Sequence, residues 1–277
     1  MRDSIRLGTV AGIPIGLHWS IALIAGLFTF SLATTILPAS AAGFGTGAYL
    51  LTAAVTTAAL LAAIVAHELG HSLVAKNNGI NVSGISLFAL GGVAKLEREP
   101  DNAGAAARIA LAGPAVSLLL GVVGFFGAGI AGAFGLPALA TAALTWFGLI
   151  NVVMAVFNMI PALPLDGGRV LQAALWARSG DQHAATISAA SIGRLLGWGL
   201  VAFGAWQFLA GATGGLWTAL IGWFVITAAR AEAGRARFEI ARRSWAPPQW
   251  PGPWFAPQGA TPPPPADAID VDARKVV

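Results

Sequence analysis

The chain contains no cysteine, and charged residues make up only 10% of its 277 residues. The missing cysteines exclude a disulfide framework and a Cys-ligated metal site, so any metal must be bound by His, Asp or Glu. The shortage of charge, beside 56% hydrophobic residues, excludes an ordinary soluble domain. This composition is typical of a protein embedded in a membrane.

Long apolar stretches are the feature that the chain has in abundance. Six are long enough, or nearly so, to cross about 30 Å of hydrocarbon. They lie near residues 15–37, 47–76, 105–134, 137–160, 192–209 and 216–230. The first leads into further spans without a clear cleavage site, so we interpret it as a retained helix and not as a signal peptide. The pattern predicts an all-α membrane protein with six transmembrane helices.

Basic residues lie on one side of this arrangement. The chain has 16 Lys and Arg residues, and none falls in the connections near residues 38–46, 135–136 and 210–215. By the positive-inside rule, both termini of this multi-pass protein are expected in the cytoplasm. The high Ala, Gly and Arg content indicates a bacterial plasma membrane. The charges form no basic stripe with interleaved aromatic residues, so the lipid bilayer is the expected partner and nucleic acid is not.

Two segments do not follow the helical pattern. Residues 79–97 alternate and are rich in β-branched residues, which predicts a short membrane-associated β-strand segment between helices two and three, bent at Gly91 and Gly92. Open strand edges cannot face lipid, so this segment is either a linking hairpin or part of a functional cavity. Residues 244–277 contain nine of the 16 prolines. They predict a disordered cytoplasmic tail after a membrane domain over 1–243, with a proline-rich docking ligand as the alternative.

The second apolar stretch ends in the sequence His-Glu-Leu-Gly-His, residues 67–71. Residues four apart share one face of a helix, so His67 and His71 can bind one metal ion, and Glu68 is placed to accept a proton from the attacking water. The alternative is a pair of surface histidines beside an unrelated glutamate. Ionisable groups inside an apolar span are costly and usually functional, which favours the metal site.

A third ligand is needed, since catalytic zinc sites use three protein ligands and leave one position for water. Among the few carboxylates near the spans, Asp166 stands out because Pro161 and Pro164 end helix four just before it, and two glycines follow it. On spacing alone, Asp166 could instead cap a following helix over 168–177. We interpret Gly113, in the third span, as ordinary close helix packing.

Residues 67–71, the Gly91-Gly92 segment and residues 158–169 together resemble the site-2 protease family of intramembrane zinc metalloproteases. The resemblance is strongest to the compact six-helix bacterial and archaeal branch. It implies that His67, His71 and Asp166 bind one Zn²⁺ ion and that Glu68 is the catalytic general base.

The same resemblance implies substrate-binding roles for Asn158, Gly91 and Gly92. It also implies a zinc metalloendopeptidase that cleaves transmembrane segments of membrane-anchored signalling proteins, often an anti-sigma factor already cut by another protease. The nucleotide-sensing CBS domains of many relatives, and an inserted PDZ-like domain, are missing from this sequence. An ion-coupled transporter or channel with a buried His/Glu/Asp site is the alternative, although no internal repeat supports it. A catalytically idle adaptor is disfavoured by the intact site.

Overall fold

The structure, a computed structural model, describes residues 5–88 and 91–244. The strands and helices follow one another in this order: β1 Ile5–Val10, β2 Ile13–Leu17, α1 Ser20–Ser31, a π-helical turn Leu32–Ile36, α2 Leu37–Ser40, α3 Thr46–Asn77, β3 Val82–Phe88, β4 Gly91–Leu96, α4 Ala103–Ala133, α5 Ala138–Asn158, α6 Asp166–Ser179, α7 Gln182–Leu209 and α8 Gly214–Ser244. The predicted proline-rich tail beyond Ser244 lies outside the described residues.

The prediction of six membrane-spanning helices is confirmed. Within the described residues, six helical segments are long and apolar enough to cross a membrane. The first is Ser20–Ser40, which joins α1, the π-helical turn and α2, and the others are formed by α3, α4, α5, α7 and α8. The chain is therefore a multi-pass membrane protein, and α6 is a shorter helix between the fourth and fifth spans.

The ends of some spans differ from the prediction because hydropathy marks the apolar part of a helix and not its full length. Helix α7 begins at Gln182 and not near residue 192, since Asp181 accepts hydrogen bonds from the backbone N–H groups of His183 and Ala184 and caps the helix start. Helix α8 continues to Ser244, well past residue 230, through a charged segment that remains helical.

The β segment is larger than predicted. Its four strands lie in the order β1-β2-β3-β4, with β2 and β3 parallel and the two other pairs antiparallel. The predicted strands of 79–97 are β3 and β4, but β1 and β2 were not predicted, and the first helix was wrongly started at residue 15. Ala11 and Gly12 make the turn, with φ of 52° and 77°, where Asn-Gly is the usual signal.

The sheet packs against the second half of α3. Ile13, Ile85 and Leu87 are buried in one cluster with partly buried residues of that helix, including Leu69. At the end of α3, Lys76 Nζ donates a hydrogen bond to the carbonyl of Ala11 in the β1–β2 turn, over 2.8 Å. The sheet therefore lies beside the segment of α3 that carries the His-Glu-x-x-His sequence.

Helix α4 is central to the bundle, because it packs against α3, α5 and α6. Its contact with α5 is close enough that glycines are required: a Cβ added at Gly124 would lie 2.7 Å from the Cα of Gly148. The close approach of small residues is the usual way in which membrane helices pack. As a result, α4 faces both chain segments that carry the predicted ligands.

Candidate metal centre

His67 and His71 lie one helical turn apart near the end of α3. Both are buried, with 5% and 9% of their surface exposed. Their Nε2 atoms converge to 3.2 Å from each other, and the rings meet edge to face. The helix brings two metal-binding nitrogens close together, as the four-residue spacing predicted.

Asp166 reaches the same point from the other side of the bundle. It is the first residue of α6, and its Oδ2 lies 3.2 Å from His67 Nε2 and 3.3 Å from His71 Nε2. The N-cap position of this helix is Leu165, and the helix start has no side-chain capping hydrogen bond. The carboxylate therefore faces the histidines, and the capping alternative does not describe this residue.

The glycines after Asp166 make its position possible. A Cβ at Gly167 would lie 2.2 Å from the carbonyl oxygen of Met159, and one at Gly168 would lie 2.3 Å from the backbone nitrogen of Leu163. The start of α6 thus packs directly against the backbone of residues 159–163, which follow α5. The close backbone approach that the two glycines predicted is present.

The three donor atoms fit a zinc ion. Ligands held about 2.0–2.1 Å from a tetrahedral zinc ion lie about 3.3 Å from one another. The three distances here are 3.2, 3.2 and 3.3 Å. Two imidazoles and a carboxylate are also ligands that zinc accepts, with the fourth position left for water. His67, His71 and Asp166 therefore form the metal-binding group.

The electrostatics of Asp166, which lies outside the six candidate spans, suit a metal ligand. Burial raises the pKa of its carboxyl, but hydrogen bonding and electrostatic attraction from His67 and His71 outweigh burial and lower the pKa to about 2. The carboxylate is therefore ionised at any physiological pH. Metal ligands of this type bind in their deprotonated form.

Glu68 lies beside this group and contacts the sheet. A Cβ added at Gly92, the second residue of β4, would lie 2.5 Å from Glu68 Cγ and 3.0 Å from its Cδ. The backbone of Ala94, further along the same strand, also interacts with the carboxylate. Glu68 is thus partly buried between α3 and the first residues of β4.

The three residues predicted to bind substrate have different surroundings in the structure. Gly92 lies against Glu68, whereas Gly91 has φ of +130° and would place a Cβ in open space. Asn158 is the last residue of α5, at the end of the helix that leads to the Asp166 segment. Roles for these three residues in binding substrate stay predictions.

The sequence analysis missed the face of α4 that meets both histidines. A Cβ at Gly113 would lie 2.2 Å from His71 Nε2 and 2.6 Å from His67 Nε2, so this glycine does allow close helix packing, but against the two metal-binding rings. The same face brings Ser117 Oγ within 2.7 Å of His67 Nδ1. Neither residue belongs to a recognisable metal-binding pattern, because the contacts form only when α3 and α4 pack together.

Comparisons with known proteins agree with this geometry. A sequence model of peptidase family M50 matches residues 55–141 and 135–200. The chain is 43% identical to a Mycobacterium tuberculosis protein named "putative zinc metalloprotease Rip3", over 85% of this chain and 60% of that protein. It is 36% identical to a zinc metalloprotease of Methanocaldococcus jannaschii, over 74% of this chain and 55% of that protein. The chain thus spans about 60% of the length of the curated relatives that it matches.

A solved structure is also similar. The site-2 protease from Methanocaldococcus jannaschii superimposes with a TM-score of 0.54 and 30% sequence identity. The match covers 83% of this chain and 94% of that one. The similarity therefore extends over nearly the whole of the solved chain, including its arrangement of helices.

Proposed function

This chain belongs to peptidase family M50, the site-2 protease family of zinc metalloproteases, and from this premise we propose that it hydrolyses peptide bonds inside the membrane. The observation that carries the proposal is the convergence of His67, His71 and Asp166 at zinc-ligand distances beside Glu68. A catalytic zinc site needs a general base beside the position left for water, and Glu68 lies where it can serve as that base.

Each residue has a role in the proposed reaction. His67, His71 and Asp166 would hold the zinc ion, which would supply Lewis-acid polarisation of the scissile carbonyl and a lowered pKa for water. Glu68 is the general base: its carboxylate accepts a proton from the attacking water and then donates it to the departing amine. His67 and His71 are buried within the protein, so their ligand nitrogens are not exposed on its lipid-facing surface.

Strand β4 is the element that we propose to present the substrate. Among the described residues it is the last strand of the sheet, with β3 as its neighbour on one side, and its second residue touches Glu68. A helical substrate hides its amides in internal hydrogen bonds and must unwind before attack. An unwound segment could then pair with β4 at Gly91 and Gly92, on the side away from β3, as extended peptides add to sheets elsewhere. Asn158 is proposed to hold the same segment.

The proposed substrate is the transmembrane segment of a membrane-anchored signalling protein, such as an anti-sigma factor already cut by another protease. Family membership supports this class of substrate. The one-sided distribution of Lys and Arg supports an orientation with both termini in the cytoplasm of a bacterial cell. In that orientation α3 ends on the cytoplasmic side, because it is the second span. The metal centre, near the end of α3, would then lie close to the cytoplasmic surface.

The test is cleavage of a membrane-spanning peptide by the full chain, with zinc content measured in the same preparations. Glu68→Gln should retain zinc, because Glu68 is not a ligand, but should lose at least ~100-fold in turnover. Glu97→Gln is the matched control, since Glu97 is an exposed acidic residue just after β4. Normal turnover by a purified Glu68→Gln variant would refute the proposed role of Glu68.

A further inference from the structure

One face of α4 contacts both histidines of the metal-binding group. Ile109, Gly113 and Ser117 are spaced by four residues, so they form one stripe along the helix. Ile109 contacts His71, Ser117 contacts His67, and Gly113 lies between them against both rings. None of the three belongs to the metal-binding group. They can therefore affect metal binding only by changing the position or hydrogen bonding of the two histidines.

The contact with His71 determines which nitrogen of that ring carries hydrogen. His71 Nδ1 lies 2.6 Å from the carbonyl oxygen of Ile109. A carbonyl oxygen only accepts hydrogen bonds, so Nδ1 must be the donor. In the neutral imidazole, Nε2 then has a free electron pair, and it points at His67 and Asp166. The backbone of α4 thus prepares His71 to bind metal.

The contact with His67 has the same form but depends on a side chain. His67 Nδ1 lies 2.7 Å from Ser117 Oγ, and Ser117 is completely buried. If the hydroxyl oxygen accepts the Nδ1 hydrogen, His67 also presents its Nε2 electron pair to the site. We propose that Ser117 is a positioning residue for His67 and that Gly113 leaves the space in which the metal-binding nitrogens meet. This inference rests on the proposed metalloprotease site.

Gly113 lies so close to the two histidine rings that no larger residue fits at this position. An added Cβ would lie 2.2 Å from His71 Nε2 and 2.6 Å from His67 Nε2, distances at which the rings must move. These are the two nitrogens that bind the metal. The stripe therefore supplies two hydrogen-bond acceptors, which orient the two rings. Between them, Gly113 leaves space for the Nε2 atoms.

The main test is the zinc affinity of Ser117→Ala in the full-length protein, measured by competition with a chelator. Loss of a hydrogen-bond partner of a metal-binding histidine typically weakens metal binding by ~10–100-fold, and we expect a change in that range. Ser72→Ala is the matched control. Ser72 is also completely buried and directly follows His71, yet its Oγ has no hydrogen-bond partner among the described residues. Zinc affinity should be unchanged in that variant.

A second pair of variants separates orientation from packing. Ser117→Thr and Ser117→Val have nearly equal side-chain volumes and differ in the hydroxyl group. We expect the Thr variant to bind zinc at least ten times more tightly than the Val variant, in line with the same typical range. For Gly113, the Ala variant should bind zinc weakly, whereas Gly129→Ala on the same helix, where a Cβ meets open space, should not differ from wild type.

The outcomes are distinct. Equal zinc affinity of Ser117→Ala and wild type, or of the Thr and Val variants, would overturn the inference. If Ser117→Ala does not fold, the zinc affinities of Ser117→Thr and Ser117→Val still test the role of the hydroxyl group. If wild type binds zinc but cleaves no peptide, the proposed function fails while the zinc affinities still test Ser117. Thermal unfolding of the zinc-free variants detects a purely structural effect, which would lower stability without changing zinc affinity.

Discussion

The two regions that supply the metal ligands do so in opposite ways. His67 and His71 come from one regular helix, where the hydrogen bonds of α3 fix their relative position. Asp166 is the first residue of α6 and follows the non-helical segment 159–165 that comes after α5. Its position depends on how Gly167 and Gly168 pack against the backbone of residues 159–163. The spacing of the two histidines is therefore set within α3, whereas the position of Asp166 is set by the packing of one chain segment against another.

The largest effect is expected from removing Asp166 itself. Asp166→Ala leaves only the two histidines of α3, so zinc affinity should fall by more than the ~10–100-fold that is typical of losing an indirect contact. Peptide cleavage should disappear with the metal. Zinc stoichiometry after dialysis against a mild chelator measures this effect.

Asp181→Ala is the matched control for that variant, because Asp181 caps α7 with its side chain. Loss of a cap should cost about 0.5–2 kcal/mol in stability while zinc is retained. If Asp166→Ala behaved in the same way, with full zinc occupancy, a different residue would complete the site.

A smaller effect is expected from Gly167→Ala, which leaves every ligand in place. The added Cβ would lie 2.2 Å from the carbonyl oxygen of Met159, and backbone atoms must shift to avoid it. We expect zinc to bind about tenfold more weakly, at the lower end of the range for lost support of a ligand. Gly132→Ala, where a Cβ meets nothing within 4 Å, is the control. Wild-type zinc affinity in Gly167→Ala would show that the position of Asp166 does not depend on this backbone contact.

The opposite construction of the two halves also explains what could be predicted from sequence. The four-residue spacing of the histidines has a direct meaning on a helix, so His67, Glu68 and His71 were recognisable. Asp166 was recognisable only as one candidate, because its spacing also suited a helix cap. Ser117 and Gly113 gave no signal, since their importance arises from contacts between α3 and α4 that are far apart in sequence.

A third variant, at Gly92, tests whether Glu68 can be displaced without affecting metal binding by the histidines of α3. Gly92→Ala would place a Cβ 2.5 Å from Glu68 Cγ, and the flexible glutamate must move while the histidines need not. We expect zinc binding to be unchanged and turnover to fall by about tenfold, less than the ~100-fold or more of removing the base. Steady-state cleavage and zinc content measured together test this. A parallel loss of zinc would mean that β4 supports the ligands as well.

The smallest effect is expected from single-cysteine variants, which should keep full activity. They test whether the ends of α3 and α6 near the metal-binding group lie on the cytoplasmic side. The natural chain has no cysteine, so single cysteines can be introduced without a background. Ala42→Cys and Gly214→Cys should react with an impermeant reagent added outside intact cells. Asp101→Cys and Ser179→Cys should react only after the cells are opened. Labelling of either second site from outside would contradict the orientation.

The helices were more predictable than the sheet for a physical reason. A membrane span is recognised from its own composition, so each of the six candidate spans in the described part of the chain was predicted. The β1–β2 hairpin has an Ala-Gly turn and a second strand whose apolar residues continue into the first span. Its strand character comes from pairing with β3, about 70 positions further along the chain, and pairing of this kind is not visible in a local pattern.

The parallel pairing of β2 with β3 has a consequence for the order of assembly during synthesis. Ile15 pairs with Ile85, and two membrane spans separate them in the chain. Such a non-local pair closes slowly and only after the intervening chain exists. The β1–β2 hairpin is made first but must wait until the first two spans have been inserted before it gains its neighbour. The metal ligands come together later still, after Asp166 has left the ribosome. The unfinished chain therefore has no complete metal centre until the four candidate spans that precede Asp166 have been synthesised.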